Sequence, residues 1–97
     1  MSKTVDPPRR PENVGLAECV AFVEEMVRKA EGLDPRRRHP FRIPGFGQAS
    51  WIAGREQVDL TRKVLRNLGR GDPMVTRMVR AWVVQYEKVQ RRKGAKA

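Results

Sequence analysis

A chain of 97 residues with 39% hydrophobic content holds material for one small core, and self-association is the usual way to enlarge such a core, so a homodimer is expected. The 21 Lys and Arg against 11 Asp and Glu give a net charge of +10, which repels itself in a compact monomer and attracts polyanions over a Debye length. A single cysteine, Cys19, excludes an internal disulfide and a cysteine-based zinc site, and the short apolar runs exclude a membrane span or secretory signal.

In chain order, residues 1–12 carry Pro7, Pro8 and Pro11 around Arg9 and Arg10, a pattern that forbids a helix and predicts a disordered, extended arm. One helical domain is expected over residues 13–91. Asn13 is the expected N-cap of a first helix from about Val14 to Glu31, with Gly32 as its stop. The apolar stripe of that helix is Leu16, Val20, Val23, Val27 and Ala30, widened by Cys19, Phe22 and Met26. Residues 33–49 contain Pro35, Pro40, Pro44, Gly45 and Gly47 and read as a long basic loop, uncommon unless it has a task. Residues Ser50 to Gly54 fit either a short strand or the start of a helix.

A second helix is expected over about Arg55 to Leu68, with Val58, Thr61, Val64, Leu65 and Leu68 on one side and Gly69 as its end. Asp72 is a good N-cap and Pro73 stands at the first helical position, where its missing N–H costs nothing. The third helix then runs to about Arg91, with an apolar stripe of Val75, Met78, Val79, Trp82, Tyr86 and Val89, followed by a basic tail over 92–97. The fold class is therefore all-α: three helices, a long Pro/Gly loop between the first two, and disordered termini.

Charge is uneven along this plan. Residues 14–32 carry two cations against four acids, whereas 33–54, 55–70 and 71–97 are each net basic. Arginine supplies 15 of the 21 cations, and its planar fork binds phosphate bidentately. At 100° per residue, Arg77, Arg80, Val84, Lys88 and Arg91 fall on one line of the third helix, away from Met78, Trp82, Tyr86 and Val89. Arg55, Arg62 and Arg66 repeat the pattern on the second helix, interrupted by Asp59. If both stripes enter a common core, both arginine rows face out.

The run Arg36-Arg37-Arg38-His39-Pro40-Phe41-Arg42 adds cations with an aromatic beside them, a combination that holds phosphates while Phe41, or Phe46 further on, stacks on a base. Bland explanations compete at each place: a soluble helix opposes charge to its core as a matter of course, and a basic loop can be a mere linker. Trp82 and Tyr86 read as core or interface anchors. Arg70-Gly71-Asp72 is explained by helix punctuation rather than by cell adhesion, and His39 has no acidic partner in its stretch of sequence. No phosphate-binding glycine loop, nucleophile elbow or His-Glu metal pair occurs.

The residues lead to a binding protein with no catalytic residues, cofactor or metal. Its partner is nucleic acid, DNA ahead of RNA, contacted through Arg77, Arg80, Lys88, Arg91, Arg36, Arg37, Arg38, Arg62 and Arg66. An acidic protein partner is the alternative, as for a regulator, an inhibitor or a small assembly subunit. A membrane partner is not expected, because the apolar stripe of the third helix is needed for the core. An intracellular place, cytoplasmic and nucleoid-associated or nuclear, suits such a protein. The second and third helices have the general shape of a helix-turn-helix, or of the helices of a ribbon-helix-helix dimer, for which Ser50 to Ala53 would be the strand.

Overall fold

The computed structural model describes residues 9–95. A 3-10 turn at Pro11–Asn13 leads into helix α1 (Leu16–Glu31), followed by strand β1 (Arg38–Phe41), strand β2 (Ser50–Ala53), helix α2 (Gly54–Gly69) and helix α3 (Pro73–Ala95). Three helices thus stand as expected, but the long loop is not structureless. Its two flanks pair as an antiparallel hairpin, with Arg38 opposite Ala53, His39 opposite Ile52, Pro40 opposite Trp51 and Phe41 opposite Ser50. Ser50–Ala53 is a strand, and it pairs with its own chain. The first eight residues of the expected arm, and residues 96–97, lie outside the described residues. From Arg9 onward the arm is held, and α3 continues through most of the expected tail.

Helix α1 buries Cys19, Val23, Met26, Val27 and Ala30, an i, i+4, i+7, i+8, i+11 series that forms one continuous face. Its N-cap is Gly15 rather than Asn13, which belongs to the 3-10 turn. Glu18 accepts a hydrogen bond from the Gly15 N–H at 2.9 Å, satisfying a donor that the helix start leaves free. Helix α2 contributes Leu68 and Thr61 to the interior, with Val64 and Leu65 packed beside them. The Thr61 hydroxyl donates to the Gln57 carbonyl one turn back at 2.8 Å, so its burial leaves no polar atom unmet. Asp72 caps α3 as expected, accepting from the N–H groups of Met74 and Val75 at 2.9 and 3.3 Å. Gly71 makes the left-handed turn before it, at φ +80°. None of the described helices is long and apolar enough to cross a membrane.

Helix α3 meets the core on a face that only partly overlaps the expected stripe. Of that stripe Val79 is buried and Val75 and Trp82 pack against the core, whereas Met78 and Tyr86 are exposed; Val83 and Val84, outside it, are buried. Three valines give a flatter, shallower contact than a Met/Trp/Tyr stripe, and that lets α3 approach α1 closely. The rim is filled by larger groups: Tyr86 meets Phe22 edge-to-face at 5.8 Å. The expected stripe omitted Val83 and treated Val84 as part of the solvent row.

The hairpin is held at both of its ends. Gln57, only 4% exposed, donates through its side-chain amide to the carbonyl of His39 on β1 at 2.9 Å and of Ile52 on β2 at 3.2 Å. Directly before α2, the N–H of Gly54 bonds the Arg37 carbonyl at 2.9 Å and that of Arg55 bonds the Pro35 carbonyl at 3.1 Å. The backbones are so close there that a Cβ on Gly54 would stand 2.5 Å from the Asp34 carbonyl oxygen. Between the strands, Gly45 takes φ +94° and lies against α3, where a Cβ would come within 2.8 Å of the Tyr86 Cα. Gln85 donates to the Gly45 carbonyl at 3.3 Å.

Gly54→Ala must push the 34–37 turn off the start of α2, and should cost about 1–3 kcal/mol in urea unfolding. Gly69→Ala, placed where nothing lies within 4 Å of the added methyl, should leave stability unchanged or raise it by about 0.5 kcal/mol. Equal losses at both positions would remove the close approach at Gly54 as the reason for its glycine.

Candidate nucleic-acid interface

The hairpin places its side chains by the alternation of a strand. Arg38 and Pro40 point to the outer face, together with their cross-strand partners Ala53 and Trp51; His39, Phe41 and Ile52 are turned inward and partly covered. Trp51 is 62% exposed. The Arg38 guanidinium reaches diagonally across this face and donates to the Trp51 carbonyl at 3.1 Å. At the base of the hairpin, Arg36, Arg38 and Arg55 line one open concavity of about 570 Å³ with Pro35, Ala53 and Glu56. Three guanidiniums from a turn, a strand and a helix start thus converge on one place, and none of the three has a carboxylate partner among the described residues. Glu56 at the rim is directed to the backbone, accepting from the Ala53 N–H at 3.4 Å. Arg37 stands beside them, 80% exposed, 3.9 Å from Asp34.

This cluster continues along α2. Gln57, Thr61 and Leu68 face the interior, which leaves Arg55, Arg62 and Arg66 exposed on one line, with Asp59 beside it as the sequence indicates. The eleven helical steps from Arg55 to Arg66 carry that line about 16 Å from end to end. Arg62 is not free: it donates to Glu31 at the end of α1 at 2.6 Å. Both groups are about half exposed, so the pair is weak and open to competition by another anion.

The row expected on α3 does not form a single outer face. Val84, in its middle, is buried, and Arg80 is drawn inward beside Cys19, its Nε buried without a hydrogen-bond partner. Arg77 and Arg80 line a concavity of about 660 Å³ with Pro11, Glu12 and Thr76, whereas Arg91 borders Arg9, Glu18 and Glu87 further along the helix. Lys88 and Arg77 are exposed. The cations of α3 therefore border the N-terminal segment, and those of α2 border the hairpin and the end of α1. The physical reason is the valine face: turning Val79, Val83 and Val84 into the core rolls the arginine line with them.

Sequence reasoning gave no part to Arg9, Trp51 and Gln57. Arg9 bridges Glu18 of α1, at 2.8 Å, and Glu87 of α3. These contacts raise its pKa, with the hydrogen bond to Glu18 foremost. Glu18 is lowered below the usual glutamate range, first by the Gly15 N–H and then by Arg9. Burial pushes the Cys19 thiol up, against a smaller opposing pull from Arg80, so this cysteine is a poor nucleophile in the native fold. The His39 ring lies 3.1 Å from the Asp34 carbonyl, which gives it a structural partner. Among the described residues no group of three or more His, Cys, Asp or Glu is placed to hold a metal ion. Exposure of Trp51 was the signal left unread, since a strand beginning at Ser50 would have set its face.

Comparison with known proteins finds no match: no protein-family model fits the chain, and neither the curated proteins nor the solved structures provide a similar one.

The Arg9 clamp has a defined pH dependence. Glu18 is lowered in the native state, so its contribution to stability is complete above the ordinary glutamate pKa of about 4.3 and is lost as the pH falls through the lower native value. Thermal melts from about pH 7 down to about pH 2 should therefore show an acid loss that Glu18→Gln reduces, with a lower melting temperature for that variant at neutral pH. Coincident curves for the two proteins would remove Glu18 as the linked group.

Proposed function

We propose that this protein binds nucleic acid, without catalysis, through a basic stripe running from the hairpin base along α2. The single observation that carries the reading is the convergence of Arg36, Arg38 and Arg55 on one open concavity with Trp51 exposed on the adjoining strand face. Guanidiniums brought to one place without carboxylate partners suit phosphate, which they bind as forks. Arg37, Arg62 and Arg66 extend the positive surface, with Arg62 exchanging its Glu31 carboxylate for a phosphate. Arg77, Lys88 and the other α3 cations add a diffuse field that speeds encounter rather than a second contact line. DNA is the first partner to test and RNA the second. An intracellular, nucleoid-associated or nuclear place follows from that partner.

Self-association belongs to the same proposal. Met74, 75% exposed, and Met78 one turn later leave an apolar edge on α3, the kind of patch that a second copy or an acidic protein partner covers. Sedimentation at two concentrations tests the dimer, and a stoichiometric complex that survives nuclease treatment would favour the protein partner over nucleic acid.

If about six phosphates are neutralised, log K should fall against log salt with a slope of about −4 to −5. The double variant Arg38→Glu/Arg55→Glu should flatten that slope by about 2, whereas Arg77→Glu/Lys88→Glu should change it far less. Slopes that respond only to the α3 variant would move the contact surface to α3, and no salt-dependent binding to any polynucleotide would end the nucleic-acid reading.

A further inference from the structure

The geometry points to the outer face of the hairpin as a seat for an unpaired nucleobase, stacked on Trp51, so that the protein prefers single strands, loops or bulges to continuous duplex. This rests on the nucleic-acid reading above and adds the class of substrate.

Trp51 is a large apolar ring left 62% exposed, and the backbone that carries it is held on several sides. Its strand pairs with β1 on one side, its carbonyl accepts from Arg38, and the next residue's carbonyl accepts from the buried Gln57 amide. Pro40 stands opposite Trp51 in the register, a small ring without a hydrogen-bond donor, and the indole beside it stays largely exposed. Arg38 lies diagonally from it on the same face, about 7–8 Å away at Cα level, and Arg36 and Arg55 lie just beyond, around the concavity at the hairpin base. An aromatic platform beside a line of cations is what a single strand requires: bases stack on the ring while the backbone follows the charges. A duplex cannot use the platform, because its bases are already stacked on one another and exposing one costs unpairing energy. Phe41 cannot serve instead. Its ring lies on the inner face of the hairpin, lining the concavity between β1 and α1 with Met26, Ala30 and Leu33.

The test uses the full chain and two probes of equal length, a fluorescein-labelled single strand of thymidine nucleotides and a labelled duplex. Wild-type protein should bind the single strand more tightly. Trp51→Ala, at an exposed site where folding can be checked by circular dichroism, should weaken single-strand binding by about 5- to 100-fold, the worth of one stacked base, and leave duplex binding nearly unchanged. Trp51→Phe should recover part of the loss. In a Trp82→Phe background, where Trp51 is the remaining tryptophan, its emission should be quenched by the single strand and not by the duplex. Equal affinity for the two probes, or a Trp51→Ala loss shared by both, overturns the stacking proposal while arginine-dependent binding keeps the basic-surface reading intact. Absence of salt-dependent binding to either probe overturns both.

Discussion

One buried amide ties the two strands of the hairpin to the helix that follows them. Gln57 spends both of its N–H groups on the hairpin, one on each strand, and a two-stranded hairpin by itself is marginal in water. That bridge is the side-chain link that ties both strands directly to α2, and the backbone bonds at the helix start and the Gly45 joint act beside it. The bridge works because the backbones come together just beneath it. Gly54 admits the Asp34 carbonyl where any side chain would refuse it, and the helix start supplies two N–H groups that the 34–37 turn satisfies. A buried glutamine is costly unless paired; here pairing is what converts a proline-rich connection into a defined surface.

Electrostatics is divided in the same way. Acidic residues are few, and several of the ion-paired ones are on α1 or linked to it: Glu18 and Glu87 receive Arg9, Glu31 receives Arg62, and Glu25 receives Arg28. These partly exposed pairs contribute little to stability individually. Their larger effect is on where positive charge remains available. The N-terminal end of the structure is locally compensated; at the hairpin base Arg37 lies near Asp34 and Glu56 stands at the rim, but Arg36, Arg38 and Arg55 have no carboxylate partner among the described residues. Repulsion among Arg36, Arg38 and Arg55 is a cost to the folded state that a polyanion would relieve, which ties the marginal core of a small basic chain to its proposed ligand.

Much of the fold was legible from spacing. Most of the α1 face (Leu16, at its start, is exposed), the α2 face with its exposed arginine line, and the Asp72-Pro73 start of α3 follow from periodicity and capping chemistry, which act locally. The hairpin was not legible, because its strands are four residues long and depend on a glutamine 18 residues after His39 for their support. Pro40 inside β1 also argued against a strand, although a two-stranded edge tolerates proline. Helix α3 was legible in part. Val75, Val79 and Trp82 meet the core as their spacing indicates, but Met78 and Tyr86 are exposed while Val83 and Val84 are buried, and Val84 in a supposed solvent row was the visible contradiction. The same roll explains why Arg77, Arg80, Lys88 and Arg91 do not make the outer face that the α2 line does.

The Gly45 contact gives the hairpin the mechanics of a beam supported at two points rather than of a cantilever. Its base is fixed to α2, and the span between its strands rests on the backbone of α3 at Tyr86, with Gln85 closing the joint. The strand that carries Trp51 thus belongs to an element braced against two helices, and the joint at Gly45 couples its connection to α3 as its base is coupled to α2.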